Sequence, residues 1–347
     1  MIMVYFIKRK FNTMCAYIYW HKKLRYSGHK NAYVIGTPTH VNIGDSAIAL
    51  AEMDFIQSNG YENIIEITLQ EYISYRKCIQ RMIPKNAVIF LLGGGFMGSL
   101  WPAEEMWRRK MLEDYKDHYI VVFSQTIYYG ADVKSQKFML ESVGIYNTKS
   151  NLTLIARENL SYEIMKSLYP NCNILLTPDI VLSMGQQVFN TKREGILVCF
   201  RKDKERNLSI ADEDNLIHIL QKRGYSVNIT DTMSKIQINV NNRKRVVRDK
   251  LEEIASSKLL ITDRLHGMVF AAITGTPCIV LANNHHKVKG TYEWISDLNY
   301  IEYIEDITKV EEKVKQFYGK ENCTFHINST LFSELSDLVY RLSRLYE

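Results

Sequence analysis

Short apolar runs recur along this chain, and each ends abruptly in glycine or in charged and hydroxyl-bearing residues. Asn31–Ile35, Ile64–Thr68, Ala87–Leu92, Tyr119–Ser124, Leu152–Ala156 and Ile174–Leu176 are of strand length and read as strands, with Ala87–Leu92 the continuous apolar run of a parallel strand covered on both faces. Segments of helical spacing lie between them, from about Ser46 to Gln57, from Glu104 to Tyr115, and after Arg157-Glu158-Asn159-Leu160-Ser161. A polar stretch from Ser183 to Gly195 interrupts the alternation, which restarts with strands at Ile196–Phe200, Tyr225–Thr230, Leu259–Thr262 and Cys278–Leu281. Helices near Asp212–Arg223, near Arg243–Ser256 and up to Ile273 separate them. The pattern predicts an α/β protein with two Rossmann-like domains, at residues 31–182 and 195–300, joined by a linker at 183–194. Residues 301–347 are expected to be helices that cover a sheet or cross back to the first domain.

Open parallel sheets bind ligands beyond the carboxyl ends of their strands, so the residues just after each run carry the functional information. The stretch KLLITDRLHGMVFAAITGTPCIVL, Lys258 to Leu281, places Asp263, Arg264 and His266 at one such end. Two readings are open there: a reactive cluster, or a helix cap (Asp263), a solvated cation (Arg264) and a corner-filling imidazole (His266). After the first strand, the loop Gly36–Asp45 contains Asn42 and opens a helix capped by Asp45 or Ser46, whose free amides would receive an anion. Gly93, Gly94 and Gly95 follow the third strand and would form an anion nest or a tight crossover. Trp101 is placed beside that crevice, and Gln125 sits among hydroxyls at the next strand end. Arg157 is placed to grip a carboxylate or phosphate, or to pair with a neighbouring acid. His285 and His286 precede Lys287 in a basic loop. Without an acid or thiol at useful spacing, anion binding or a substrate-gating loop is expected there and a metal is not.

Composition adjusts this picture modestly. The 347 residues carry a net charge of +6 with 24% charged residues, a mild excess suited to anionic substrates or a membrane surface, without a nucleic-acid signature. Six scattered cysteines lack any C-x-x-C pair and suit a reducing, cytoplasmic compartment. No apolar run is long enough to span a bilayer. Residues 1–30 form a basic, aromatic leader with no acidic residue. Two readings are open for it: residues 1–25 lie on an anionic membrane surface, making the protein peripheral, or they pack across the first domain.

Taken together, GTPTHVNIGDSAI (36–48), LLGGGFM (91–97), SQTIYY (124–129), ARENLS (156–161), TPDIVL (177–182), TDRLHGMVFAAITGTPCIVL (262–281) and NHHKVKGTYEW (284–294) resemble the polysaccharide pyruvyl transferase family. The resemblance spans roughly residues 32–296. It implies a fold like that of the two-Rossmann-domain (GT-B) glycosyltransferases with the site in the interdomain cleft. It also implies transfer of pyruvyl from phosphoenolpyruvate onto two hydroxyls of one sugar, forming a cyclic ketal without a cofactor. By resemblance, the family's D-R-x-H-G stretch falls on Arg264 and His266, and its R-x-x-x-S stretch on Arg157 and Ser161.

The chemistry of that reaction suits the residues. Arg264, Arg157, the glycine-rich strand ends, His285 and Lys287 would hold the donor's carboxylate and phosphate. His266 is expected to exchange the proton, with Asp263 orienting it or capping the helix and Asp45 activating a hydroxyl from the opposite lip. The acceptor is a saccharide, free or polyprenyl-diphosphate-linked. Two alternatives belong to other classes: a nucleotide-sugar glycosyltransferase, with Glu293 or Asp297 as the ribose-binding acid, and a non-catalytic component of a polysaccharide assembly machine.

Overall fold

The computed structural model describes residues 18–20, 24, 30–203, 205–283 and 285–345, and two parallel sheets organise them. The first contains β1 (Asn31–Thr37), β2 (Asn63–Thr68), β3 (Val88–Leu91), β4 (Gly94–Gly98), β5 (Tyr119–Tyr128), β6 (Leu152–Ala156) and β7 (Asn173–Leu176). Their order is β2-β1-β3-β5-β6-β7, with β4 lying along the far half of β5. The second contains β8 (Ile196–Cys199), β9 (Val227–Ile229), β10 (Leu259–Thr262), β11 (Cys278–Leu281) and β12 (Ile301–Ile304), in the order β12-β11-β10-β8-β9. The last of these corrects an expectation: IEYI, placed at the start of the C-terminal helices, pairs in parallel with β11 from Cys278↔Ile301 to Leu281↔Ile304. Its β-branched and aromatic residues suit a strand, and its two isoleucines face the core.

Alternate residues of the first sheet serve opposite cores. Ala32, Val34 and Phe90 enter one apolar cluster, while Tyr33, Ile35, Ile89 and Leu91 enter another. Full burial contributes about 1.5–3 kcal/mol for each large apolar side chain, which explains why these strands read as unbroken apolar runs. In both sheets the chain reverses its direction of travel, between β1 and β3 and again between β8 and β10. Loops at such reversals splay apart and open a crevice at the carboxyl ends of the strands.

Helix α1 (Ile43–Ser58) sets how the two crevices face each other. Its small apolar residues, including Ala47, Ala49 and Ala51, permit close approach to α7 (Arg243–Ala255) of the second domain. (In the intervening chain, α2 is Leu69–Met82, α3 Pro102–Asp114, α4 Val133–Tyr146, α5 Asn159–Leu168 and α6 Ile210–Lys222.) One apolar cluster runs through Ala47, Ile48 and Ala51 into Val246, Val247 and Leu251 without a break at the domain junction. Arg243, the first residue of α7, is buried and donates to Glu66 and, at 2.8 Å, to the Pro38 carbonyl oxygen. α11 (Ser333–Ser343), at the end of the described chain, returns to the first domain, where Ser336 donates to Asn59 and Phe332 lies 6.1 Å from Phe55.

Most of the leader, and hence the expected membrane contact of residues 1–25, lies outside the described residues. Within it, Trp20 and Leu24 are buried in the first domain's core, with the Trp20 ring 6.2 Å from Tyr75. Among the described residues, no helix is long and apolar enough to cross a membrane.

Candidate functional site

The two crevices merge into one cleft of about 610 Å³. From the first sheet it is lined by strand ends (Ile35, Gly36, Leu91, Leu92) and by Arg157; from the second, by Arg201, Arg264, His266 and Lys287. Aromatic and aliphatic side chains of the first domain, among them Ile73, Phe96, Trp101 and Trp107, form its other wall.

Arg157 follows β6 immediately and is held on three sides. Its Nε donates to Thr126 Oγ1 at 2.8 Å, its Nη1 to Asp179 Oδ2 at 2.8 Å, and its Nη2 approaches Gly95. The Arg157–Asp179 pair is 2% and 1% exposed. Gly95 is required there, because a Cβ would stand 2.9 Å from Arg157 Nη2. Thr126 passes the chain on by donating to Glu158 at 3.2 Å.

Arg201 and Arg264 follow β8 and β10, the strands flanking the second reversal. Arg201 grips Asp203 with two bonds of 2.9 and 3.0 Å and meets Glu205 at 2.9 Å. Arg264 Nη2 meets Asp231 Oδ1 at 2.7 Å, while its Nε is buried without a partner. Lys287, expected in a loop, is the first residue of the short helix Lys287–Tyr292 that follows β11, and it pairs with Glu205. Burial pushes the Lys287 ammonium down to about 8, against the opposing pull of Glu205.

His266 lies in the first turn of α8 (Leu265–Thr274) and rests on the first turn of α1 from the other domain. Gly44 makes this seat: a Cβ there would fall 2.2 Å from His266 Nδ1. Among the described residues Nε2 finds no hydrogen-bond partner, and its nearest carboxylate is Asp179, at 3.8 Å. Burial lowers the imidazole below its usual value, with Asp179 opposing the shift, so at neutral pH it is predominantly the free base.

Several sequence expectations change in this geometry. Asp263 neither caps α8 nor meets His266: Arg264 is the cap residue, no side chain caps the helix, and Asp263 Oδ1 accepts the Arg201 backbone N–H at 2.8 Å. It precedes the helix, so three-residue spacing does not put it on the His266 face. Burial pushes its carboxyl up to about 6, and Oδ2 has no partner. The cap of α1 is Asn42, whose Oδ1 accepts from Gly44 at 2.9 Å, so neither Asp45 nor Ser46 fills that place. The first amides of α1 are not free for an anion: Ile43 donates to Thr232, Gly44 and Asp45 to the Asn42 side chain, and Ser46 to the Asn42 carbonyl oxygen. Gly93 is similarly committed. Its N–H donates to the buried Glu52 at 2.8 Å, so the three glycines do not form an open nest.

Of the other expected site residues, Asn42, Asp45, Gly95, Arg157, Arg264, His266 and Lys287 line the cleft. Asp45 lies 3.6 Å from the exposed His40. Gln125 is buried and donates to the Leu92 carbonyl oxygen, Ser161 joins Glu158 to the Ile127 amide, and Gly94 packs against Phe96, so none of these three lines the cleft. His285 stacks edge-on against Tyr128, at 5.1 Å, outside the lining. His286 Nε2 hydrogen-bonds to the Glu158 carboxylate at 3.1 Å, with the carboxylate accepting. Asp297 pairs with His326 on the surface, and neither it nor Glu293 lines the cleft. Asp179, Arg201, Asp203 and Glu205 are site residues that sequence reasoning did not single out. A cation directly after the apolar run ILVCF was the available signal for Arg201.

Comparison with known proteins bears on what this cleft does. Residues 42–285 match the profile described as polysaccharide pyruvyl transferase. General stress protein 30 of Bacillus subtilis (strain 168) is 32% identical over 300 residues, covering 84% of this chain and 86% of that protein. Pyruvyl transferase 1 of Schizosaccharomyces pombe is 28% identical over 284 residues, covering 77% of this chain and 70% of that protein. A crystal structure of a functionally uncharacterized protein from Klebsiella pneumoniae superposes with a TM-score of 0.55 at 19% identity, over 86% of this chain and 98% of that one. That last likeness speaks to the fold alone.

Proposed function

The chain belongs to the polysaccharide pyruvyl transferase family, and from that premise we propose how its cleft moves a pyruvyl group from phosphoenolpyruvate onto two hydroxyls of a saccharide. The observation that carries the reading is the convergence of Arg157, Arg201, Arg264 and Lys287 on one cleft with an unpartnered, uncharged imidazole among them. A small donor bearing both a carboxylate and a phosphate needs several cationic donors in fixed places. Arg157 is held by Thr126 and Asp179 and is the fixed point; Arg264 and Arg201 reach the donor from the other domain.

The proton steps follow from the charge states. Lys287, an ammonium that gives up its proton easily, donates to the methylene carbon of the donor and makes C2 electrophilic. The first sugar hydroxyl adds to C2 and passes its proton to neutral His266. The C2–O bond to phosphate breaks, and the imidazolium returns its proton to the departing phosphate. The second hydroxyl then adds to C2 and restores the proton of Lys287, closing the ketal. Asp45, across the cleft on the first turn of α1, is placed to orient the acceptor hydroxyls.

The test is phosphate release from phosphoenolpyruvate that depends on a saccharide diol, with the ketal identified by mass. Replacing His266 by alanine should cut turnover by about 10²- to 10⁴-fold, the usual worth of positioned acid–base help. A His266→Ala enzyme that keeps most of its rate would remove the imidazole from the mechanism.

A further inference from the structure

Glu205 is a carboxylate shut in between two cations. It lies in the loop after β8, is 1% exposed, and its Oε2 meets both Arg201 Nη2, at 2.9 Å, and the Lys287 ammonium. Arg201 does not depend on it, because the same guanidinium already grips Asp203 with two hydrogen bonds. Lys287 has no such alternative. The charged and titratable groups around it are Arg201 from the β8 loop, Arg157 across the cleft, His266 on α8 and His285 in the loop before it. Among the described residues, Glu205 is the only anion in ion-pair contact with it. Gly95 completes the enclosure, since a Cβ there would stand 3.6 Å from Lys287 Nζ.

A buried ammonium flanked by two guanidinium groups is driven to lose its proton by desolvation and by repulsion alike. One carboxylate in contact offsets part of that drive. We propose that Glu205 is a positioning residue for the transfer reaction, keeping Lys287 as an ammonium and aiming it at the donor's methylene carbon. The proposal rests on the reading of Lys287 as proton donor. It separates the two acids of the loop: Asp203 anchors the loop through Arg201, and Glu205 serves the lysine that opens the helix Lys287–Tyr292. Arg201 thereby couples the two, because it touches both carboxylates.

The test measures Lys287 directly before it measures turnover. Acylation of Lys287 by acetic anhydride, followed by peptide mass spectrometry across a pH series, gives the midpoint of the ammonium in the intact protein without substrate. In Glu205→Gln, which keeps the shape and removes the charge, the midpoint should fall by at least about one pH unit, the usual effect of an opposite charge in contact. The alkaline limb of the kcat profile should move down with it, and Glu205→Asp should restore part of both shifts. A purely structural role would lower turnover at every pH and leave the limb in place. An unchanged midpoint in folded Glu205→Gln overturns the proposal. A midpoint that moves while the kcat limb stays sustains the Glu205–Lys287 pairing and overturns the donor role of Lys287. Should Glu205→Gln not fold, Glu205→Asp, whose carboxylate is withdrawn by one methylene, must still lower the midpoint; no displacement there is equally fatal.

Discussion

The two walls of the cleft hold their cations in different ways. On the first-domain side, Arg157 and Asp179 form a pair sealed from solvent and tied further to Thr126. On the second-domain side, Arg201 and Arg264 are matched with Asp203 and Asp231, carboxylates whose side chains are 35% and 25% exposed, and Arg201 alone also meets a buried acid, Glu205, at 2.9 Å. A sealed pair cannot exchange its partner for water, so Arg157 is a rigid point with its remaining donors directed at the cleft. A pair whose carboxylate is open to solvent exchanges partners more readily, so Arg264 can release Asp231 to an incoming anion, while Arg201 stays held by the buried Glu205. One wall is fixed before substrate arrives, and the other is provisionally neutralised until it does.

This difference is most sharply tested by removing one carboxylate from each wall. Asp179→Ala would leave Arg157 as an unpaired buried charge, and breaking such a pair costs about 3–5 kcal/mol. Asp231→Ala removes a partly exposed carboxylate from the buried Arg264, which keeps Asp203 at 4.0 Å, so the loss should be smaller, nearer the roughly 1 kcal/mol of a solvent-screened pair. Denaturant unfolding of the two variants should therefore differ severalfold in lost stability. Equal losses would erase the distinction between the walls.

Asp263 gives the next largest effect, and it is read through pH. Its folded-state value is raised from 3.8 to about 6, so the native state binds more protons than the unfolded state within that window. The stabilisation is fully present below pH ~4 and is lost as pH rises through about 6; a shift of about two units corresponds to about 3 kcal/mol. Stability measured from pH 4 to pH 7 should decline less in Asp263→Asn than in the native chain. Identical slopes would show that burial of Asp263 carries no such cost.

Which parts of this arrangement were legible in the sequence follows from how each residue is held. Strand ends were legible where both faces of the strand are covered, as in β6 and β10, which forces an unbroken apolar run and makes the first polar residues stand out; Arg157, Arg264 and His266 were found in this way. Asp179 was visible only as the acid of TPD, since its importance comes from a partner 22 positions earlier. Arg201 carried the same signal, directly after ILVCF, and was passed over, whereas Glu205 was hidden in the charged run RKDKER, where nothing distinguishes a buried charge from a solvated one. The Gly44 seat for His266 joins two domains, and one glycine in a loop cannot announce which imidazole will occupy its missing Cβ. Asn42 was overlooked as the helix cap because Asp45 and Ser46 are equally suitable by residue type, and only the path of the loop selects among them.

The central claim is that the provisional cation of the second wall, Arg264, closes on the donor. Thermal unfolding with and without phosphoenolpyruvate, on the native chain and on Arg264→Ala, tests it most directly. The account predicts a donor-dependent rise in Tm for the native chain that is lost in a folded Arg264→Ala protein. A nucleotide diphosphate should give no such rise. An equal rise in both proteins would place the donor away from Arg264, and a rise with the nucleotide diphosphate alone would contradict the account altogether.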